Sequence, residues 1–444
     1  MKPRSTKRAP RRRRNRRSYH PRWYAQNLLQ AIATLLELPS TLGATRPGGW
    51  TPVLAWLAGL LMVLSRRPTL TGRLHEAVVA LRALCQGFRA ATYQGWCKAL
   101  LAHAVALDLA DAAFRRATLR VAQGVWRTQG WCVLAVDGSR LNLPRTRALR
   151  RWSPVAGKAH TAPQLFVTCL YHPASGLLWD YRVGPGTASE RRHLRAMLAR
   201  LPERTLLLAD AGFVGFDLLT RLTRQHIAFV VRAGANVHLL EAPGGRGRRT
   251  DTPVWLWPPD HQTRHRPLGL RRLVLRHRGR TMTLLTNVRS PATLSKRQAR
   301  ALYARRWGIE VFYRQLKQTL GKRTLQSRTP ERAVAEARLA LQGLWLCGLL
   351  LGQTRQRHAG SPAVAAGLDV LRTALSPRSV VSARQWRQQW GRCRADPYPR
   401  RGPKRRGHWP DKKHDHPPGV AHVRPATERE RRRAQRLTPL LLQT

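Results

Sequence analysis

Apolar residues recur every three or four positions from about residue 24 to 127, punctuated by Pro and Gly in "TRPGGWTP" and "SRRPTLTG". That period predicts a bundle of four or five helices. From 129 the pattern changes. "GWCVLAVDG" is a short apolar run closed by Asp and Gly, as a buried strand would be, and "PQLFVTCLYHPASGLLWDYRVG" predicts two strands joined by a turn at "HPASG". "TASERRHLRAMLARL" predicts a helix opened by a capping box, Thr187 reaching toward Glu190. "RTLLLADAGF" predicts another buried strand ending in an acid, followed by a helix through "FDLLTRLTRQ" and a strand at "IAFVVRA". Residues 233–280 break this rhythm, with Gly/Arg-rich "GGRGRR" and then β-like alternation that predicts an inserted β-rich subdomain. "TMTLLTN" resumes the sheet; Ser295 with Gln298 caps one further helix, and Thr329 with Pro330 opens another.

The stretch "YARRWGIEVFYRQLKQTLGKR", residues 303–323, predicts an amphipathic helix with an unusual face. At about 100° per residue, Tyr303, Arg306, Glu310, Arg314 and Lys317 share one narrow sector. Trp307, Val311, Phe312 and Leu316 form the expected core stripe opposite. A lone glutamate among so many cations on one face calls for a reason.

Composition sharpens the question. The 444 residues carry 81 Lys+Arg against 22 Asp+Glu, a formal charge of +59, with enough apolar content for a sizeable core. Such an excess costs self-repulsion unless a polyanion neutralises it, which points to nucleic acid. Six scattered cysteines (Cys85, Cys97, Cys132, Cys169, Cys347 and Cys393) have no CxxC or Cys/His spacing. They argue for a reducing compartment and against a disulfide framework or a zinc site. The runs "VLAWLAGLLMVLS" and "LQGLWLCGLLLG" fall short of the roughly 20 residues of a membrane span and are expected to be buried helices. The stretch from 376, "SPRSVVSARQWRQQWGRC…", is basic and Pro-rich and is expected to stay mostly unfolded.

With so few acids, most have ordinary places. Glu190 and Glu331 sit in first helical turns, where they offset the macrodipole. Asp137 and Asp210 at strand ends and Glu310 on the cationic helix resist such treatment. Acids past the carboxyl ends of buried strands face the crevice where ligands bind. Three carboxylates with no thiol or imidazole favour a hard cation, Mg²⁺ or Mn²⁺. Each acid also has an ordinary reading: a "DG" turn for Asp137, a helix cap for Asp210, and a salt bridge to Arg314 for Glu310.

"LAVDGSRLNLP", "LLLADAGFVGFDLL" and "YARRWGIEVFYRQLK" together resemble the three signature blocks of the DDE transposases of bacterial insertion sequences. The subgroup is the one with a Y-x2-R-x3-E-x6-K signature (the IS-four group); Tyr303, Arg306, Glu310 and Lys317 match that spacing without a gap. The resemblance covers roughly 129–350. It implies an α/β, ribonuclease-H-like mixed-sheet core carrying two Mg²⁺ ions on Asp137, Asp210 and Glu310, with Mn²⁺ as a substitute. Tyr303, Arg306, Lys317 and Arg314 would grip phosphate. Trp255 or Trp257 would stack on an unpaired base, a role that competes with packing inside the β-rich subdomain. "GKAHTAPQ", with Lys158 and His160, is a further candidate for phosphate or an ordinary surface loop.

The expected organisation is a basic arm over 1–22 and an N-terminal helical DNA-binding domain over 23–128. The core follows over 129–232, the insertion over 233–280, and the second part of the core with the glutamate helix over 281–328. C-terminal helices over 329–375 and a basic Pro-rich tail over 376–444 complete it. The expected activity is metal-dependent cleavage and strand transfer in cut-and-paste transposition, on double-stranded DNA of transposon ends and target, by a homodimer in the synaptic complex. The expected location is the cytoplasm, at the nucleoid, with no membrane association. A catalytically silent descendant and a basic nucleoid or ribosomal structural protein are the alternatives.

Overall fold

The structure is a computed structural model. It describes residues 22–38, 49–85, 88–89, 92–154, 162–243, 250–277, 280–355, 363–375, 383–393 and 419–442. The basic arm up to residue 21, the "GGRGRR" segment, and Lys158 with His160 lie outside the described residues.

Five helices come first: α1 (Arg22–Leu36), α2 (Pro52–Leu64), α3 (Leu70–Leu84), α4 (Tyr93–Ala102) and α5 (Val105–Ala122). The α/β part holds β1 (Cys132–Asn142), α6 (Arg147–Trp152), β2 (Gln164–His172), β3 (Leu177–Pro185), α7 (Glu190–Met197), β4 (Thr205–Ala209), α8 (Phe216–Arg224) and β5 (Ala228–Ala233). Then come β6 (His238–Glu241), β7 (Asp251–Leu256), β8 (Leu268–His277) and β9 (Arg280–Thr286). The helices α9 (Lys296–Arg305), α10 (Trp307–Arg314), α11 (Pro330–Arg355), α12 (Val364–Leu375) and α13 (Ala383–Arg392) precede β10 (His422–Pro425) and α14 (Glu428–Leu437).

One ten-stranded mixed sheet runs in the order β10-β6-β7-β8-β9-β5-β4-β1-β2-β3. Within it, β3, β2 and β1 are antiparallel and β1, β4 and β5 are parallel, the ribonuclease-H-like arrangement. The insertion is part of this sheet, because β9 pairs with β5 and carries β8, β7 and β6 outward.

Strand alternation explains why both faces are covered. Val133 and Ala135 of β1, with Leu206 and Leu208 of β4, join the core shared with α1–α5, α10, α11 and α12. Cys132, Leu134 and Val136, with Leu207 and Ala209, join a second core beneath α7, α8 and the insertion. The N-terminal helices therefore share one core with α11 and α12 instead of forming a separate bundle. By length and composition α11 would cross a membrane, yet 78% of its apolar window is buried inside the protein.

Two expectations need correcting. The segment after 376 is not wholly unstructured: β10 pairs in parallel with β6, and α14 follows with a full capping box at Thr427 and Glu430. The helix expected over 303–323 is also three pieces: α9 ends at Arg305, α10 starts at Trp307, and residues Gln315–Thr319 wind as a π-helical turn. Trp307, expected in the core stripe, is 56% exposed; at 100° per residue it falls about 40° from Tyr303, beside Arg314 and not opposite it. Tyr303, placed on the cationic face, is buried.

Candidate active site

Register builds the first half of the site. In the parallel β1–β4 pair Val136 stands opposite Ala209, the last residue of β4. Asp137, which continues β1, and Asp210, which follows the end of β4, are the next residues along, so they stand side by side on neighbouring strand lines that run about 4.8 Å apart. The parity that sends Val133, Ala135, Leu206 and Leu208 to the α10 side sends both acids there too. Asp137 lies inside β1 and not in a turn; its Oδ1 accepts the Gly138 N–H at 2.8 Å. Asp210 caps a short 3-10 turn and accepts the Ala211 N–H at 2.8 Å.

Helix α10 supplies the second half. Ile309, Phe312 and Tyr313 bury one side of it in the core. The Tyr313 hydroxyl donates to the Asp137 carbonyl at 2.8 Å and accepts the Cys169 N–H at 3.1 Å, pinning α10 to β1 and β2. Gly308 is where α10 crosses β2: a Cβ there would lie 2.9 Å from Tyr171 Cε1. Glu310 is thereby held on the side of Asp137. Its ion pair is with Arg306 at 2.7 Å, not with Arg314, which is exposed.

The charges interact. Burial raises the Asp137 carboxyl to about 6, with Glu310 and Asp210 adding to the rise and the Gly138 N–H and Arg306 opposing it. Burial works against the charge of Arg306, but Tyr303, Asp210 and Glu310 outweigh it and hold the guanidinium charged. Lys317 is lowered by burial and by Arg323, while Asp137 pulls the other way. The Tyr303 ring lies 5.7 Å from the Arg306 guanidinium, and its hydroxyl is buried with no partner at hydrogen-bond geometry among the described residues.

One acid was missed from the sequence. Glu190 feels the charges of both Asp137 and Asp210, and burial followed by those neighbours raises its carboxyl against the pull of Arg191 and Arg140. The predicted capping box is absent: Ser189 is the N-cap of α7 and makes no side-chain capping bond. The "DG" and "DAG" glycines were the available signal, since both pack against this carboxylate.

Trp255 and Trp257 lie in the insertion core, 6% and 2% exposed, and the Trp257 indole donates to the His265 carbonyl at 2.8 Å. A base would reach either ring only after that packing opened.

No group of three or more Asp, Glu, His or Cys side chains gathers at metal-binding distance among the described residues. The donors present are carboxylates without thiol or imidazole, the set a hard divalent cation takes. The buried Tyr303 hydroxyl, which lacks a hydrogen-bond partner among the described residues, is a polar group that a phosphate oxygen would satisfy.

A ribonuclease-H-like sheet carries acids on β1, just after β4 and on a following helix. Residues 129–345 match the family model "Transposase DDE domain". The chain is 28% identical over 273 residues to the transposase InsG for insertion sequence element IS4 of Escherichia coli (strain K12), covering 56% of this chain and 58% of that relative. A solved piggyBac transposase synaptic complex with hairpin DNA is similar over 86% of this chain and 87% of that one, with 11% identity and a TM-score of 0.42. Residues 129–345 are thus similar to the DDE domain of transposases, and the relative they resemble is of the IS4 type.

Proposed function

We propose that this protein binds the terminal inverted repeats of its own insertion sequence and cuts and rejoins DNA strands at a site formed by Asp137, Asp210 and Glu310. The observation that carries the reading is the register of β1 and β4, which sets Asp137 beside Asp210 on the face where α10 holds Glu310. These carboxylates would hold Mg²⁺, with Mn²⁺ as a substitute. When bound, the cations supply an activated water or 3′-hydroxyl and stabilise the leaving oxygen. Lys317 would take phosphate oxygens beside the cut, the buried Tyr303 hydroxyl would do so once its cover opens, and exposed Arg314 would add charge at the rim. Arg306 pairs with Glu310 at 2.7 Å and would be free to take phosphate if that carboxylate held a cation. The large positive charge draws both transposon ends and target DNA. A homodimer pairing two ends, working in the cytoplasm at the nucleoid, completes the reading.

The test uses a duplex carrying the inverted repeat that flanks the coding frame. Asp137→Asn, Asp210→Asn and Glu310→Gln each should abolish Mg²⁺-dependent nicking and weaken Mn²⁺ binding measured by electron paramagnetic resonance, with DNA binding kept. A variant that cuts at near wild-type rate takes its residue out of the site.

A further inference from the structure

Helix α7 lies on the face of the sheet opposite α10, with Leu194 and Met197 in the second core. Its first residue, Glu190, nevertheless reaches the end of the sheet where Asp137 and Asp210 emerge. The two glycines that follow those acids define where it goes. A Cβ at Gly138 would lie 3.0 Å from Glu190 Oε2, and a Cβ at Gly212 would overlap Glu190 Oε1. One oxygen therefore sits against the residue after Asp137 and the other against the second residue after Asp210. At Gly138 the Phe166 ring crowds the same space; at Gly212 the Glu190 carboxylate is the one neighbour that a Cβ would meet.

The carboxylate is aimed by its surroundings. The Arg191 guanidinium donates from Nε to the Gly212 carbonyl at 2.7 Å, fixing the first turn of α7 to the loop after β4. Because β4 stops at Ala209, no strand continues alongside Gly138 on that side, which leaves a notch through which the two faces of the sheet meet. Glu190 has no ion pair or hydrogen bond among the described residues, although this chain has 81 Lys+Arg to offer it. On the α10 side of the sheet, within the influence of Asp210, the Tyr303 hydroxyl is buried, 7% exposed as a residue, and has no partner at hydrogen-bond geometry among the described residues. An anionic oxygen on one side and an unsatisfied hydroxyl on the other are what a cation carrying a phosphate oxygen would satisfy.

We infer that Glu190 is a fourth carboxylate of the metal site, entering from α7 and donating an oxygen to a divalent cation held between it and Asp137 or Asp210. This rests on the three-acid reading above. The glycine of "DAG" is then explained, because it keeps clear the space that the fourth carboxylate fills, whereas that of "DG" clears the Phe166 ring first and this carboxylate after it.

The experiment is Mn²⁺ binding to the full chain, followed by electron paramagnetic resonance, with thermal melting recorded with and without the metal. Glu190→Gln should weaken Mn²⁺ binding tenfold or more, Glu190→Asp should restore part of it, and the melting rise on adding Mn²⁺ should shrink in the same order. Without metal, Glu190→Gln should melt no lower than wild type, because it removes a charge from an acidic cluster. A residue serving only the dipole of α7 would instead melt lower and bind Mn²⁺ normally. Asp137→Asn is the control. If it weakens Mn²⁺ binding and Glu190→Gln does not, Glu190 is outside the site and the three-acid reading stands. If Asp137→Asn also binds as wild type does, both fall.

Discussion

His172 is fully buried at the end of β2, its ring 4.7 Å from that of Trp126. Nε2 lies 3.1 Å from the Trp126 carbonyl, which only accepts, so that nitrogen carries the proton. Nδ1 is left to accept, with the Ser175 N–H at 3.2 Å and the Ser175 hydroxyl at 2.8 Å. Burial consequently lowers the imidazole to about 4. Between that value and the ordinary one near 6.5 the unfolded chain takes up a proton that the folded chain refuses, so stability falls as pH drops through the window. From pH 7 to 5 the loss from this residue is about 2 kcal/mol. His172→Gln should remove that share of the slope in urea melts at the two pH values; identical slopes would show that the ring titrates freely. Residues of this kind are hard to read from sequence, because "YHPASG" looks like any polar turn. Asp137, Asp210 and Glu310 were legible for the opposite reason. In a chain so poor in acids, three that end strands or interrupt a cationic face stand out. Glu190 was not, because a Thr three residues before a Glu at a helix start has an ordinary local explanation, and only the tertiary approach of two glycines overrides it.

At the scale of elements, the glutamate helix shows what a regular period conceals. Its buried side is set by Ile309, Phe312 and Tyr313, and Trp307, beside exposed Arg314 on the helical wheel, faces solvent. The π turn closes with the Leu320 N–H on the Gln315 carbonyl at 2.8 Å, so Lys317 does not lie where 100° per residue puts it. Such turns occur often at functional sites, and here it brings Lys317 under the influence of Asp137. Gly308 belongs to the same argument. By helix propensity alone Gly308→Ala would stabilise by about 1 kcal/mol. The added carbon, 2.9 Å from Tyr171 Cε1, meets a ring wedged against Phe312 at 5.7 Å between centroids. The substitution should therefore lower the melting temperature and slow nicking, because α10 must lift away from β2 and carry Glu310 with it. Adding Tyr171→Ala should recover part of the nicking rate. A single variant that melts higher and cuts normally would show that α10 has room to spare there.

For the whole molecule, the sheet ties distant parts of the chain into one body. On the α5 side, the Tyr181 hydroxyl donates to Asp111 at 2.6 Å, Arg338 pairs with Asp111 at 2.7 Å, and Gln342 donates to Asp111 at 2.8 Å while accepting from the Trp56 indole at 2.9 Å. That network joins α2, α5, β3 and α11, which is why the N-terminal helices do not stand apart as their own periodicity suggested. At the other edge, β10 covers β6 and would leave a row of unpaired backbone groups if removed. Its neighbours seal the same place. The Gly269 N–H donates to the Leu440 carbonyl at 2.9 Å, the Leu440 N–H donates to the Pro267 carbonyl at 2.8 Å, and Gln262 donates to Glu430 at 3.1 Å. Ala421, Ala426 and Ala434 are buried in the core that holds Trp255 and Trp257. None of this was visible in a segment whose composition is that of a solvated tail, since the pairing partner of β10 lies far back in the chain. A chain ending at residue 418 should keep the ribonuclease-H-like strands but loosen the insertion. Hydrogen exchange should speed up in β6, β7 and the start of β8 and stay unchanged in β1 and β4. Tryptophan emission should shift to the red as Trp255 and Trp257 meet water, and the open β6 edge should make the truncated protein aggregate at concentrations the full chain tolerates. Unchanged exchange in β6 would mean that the insertion holds its edge without β10.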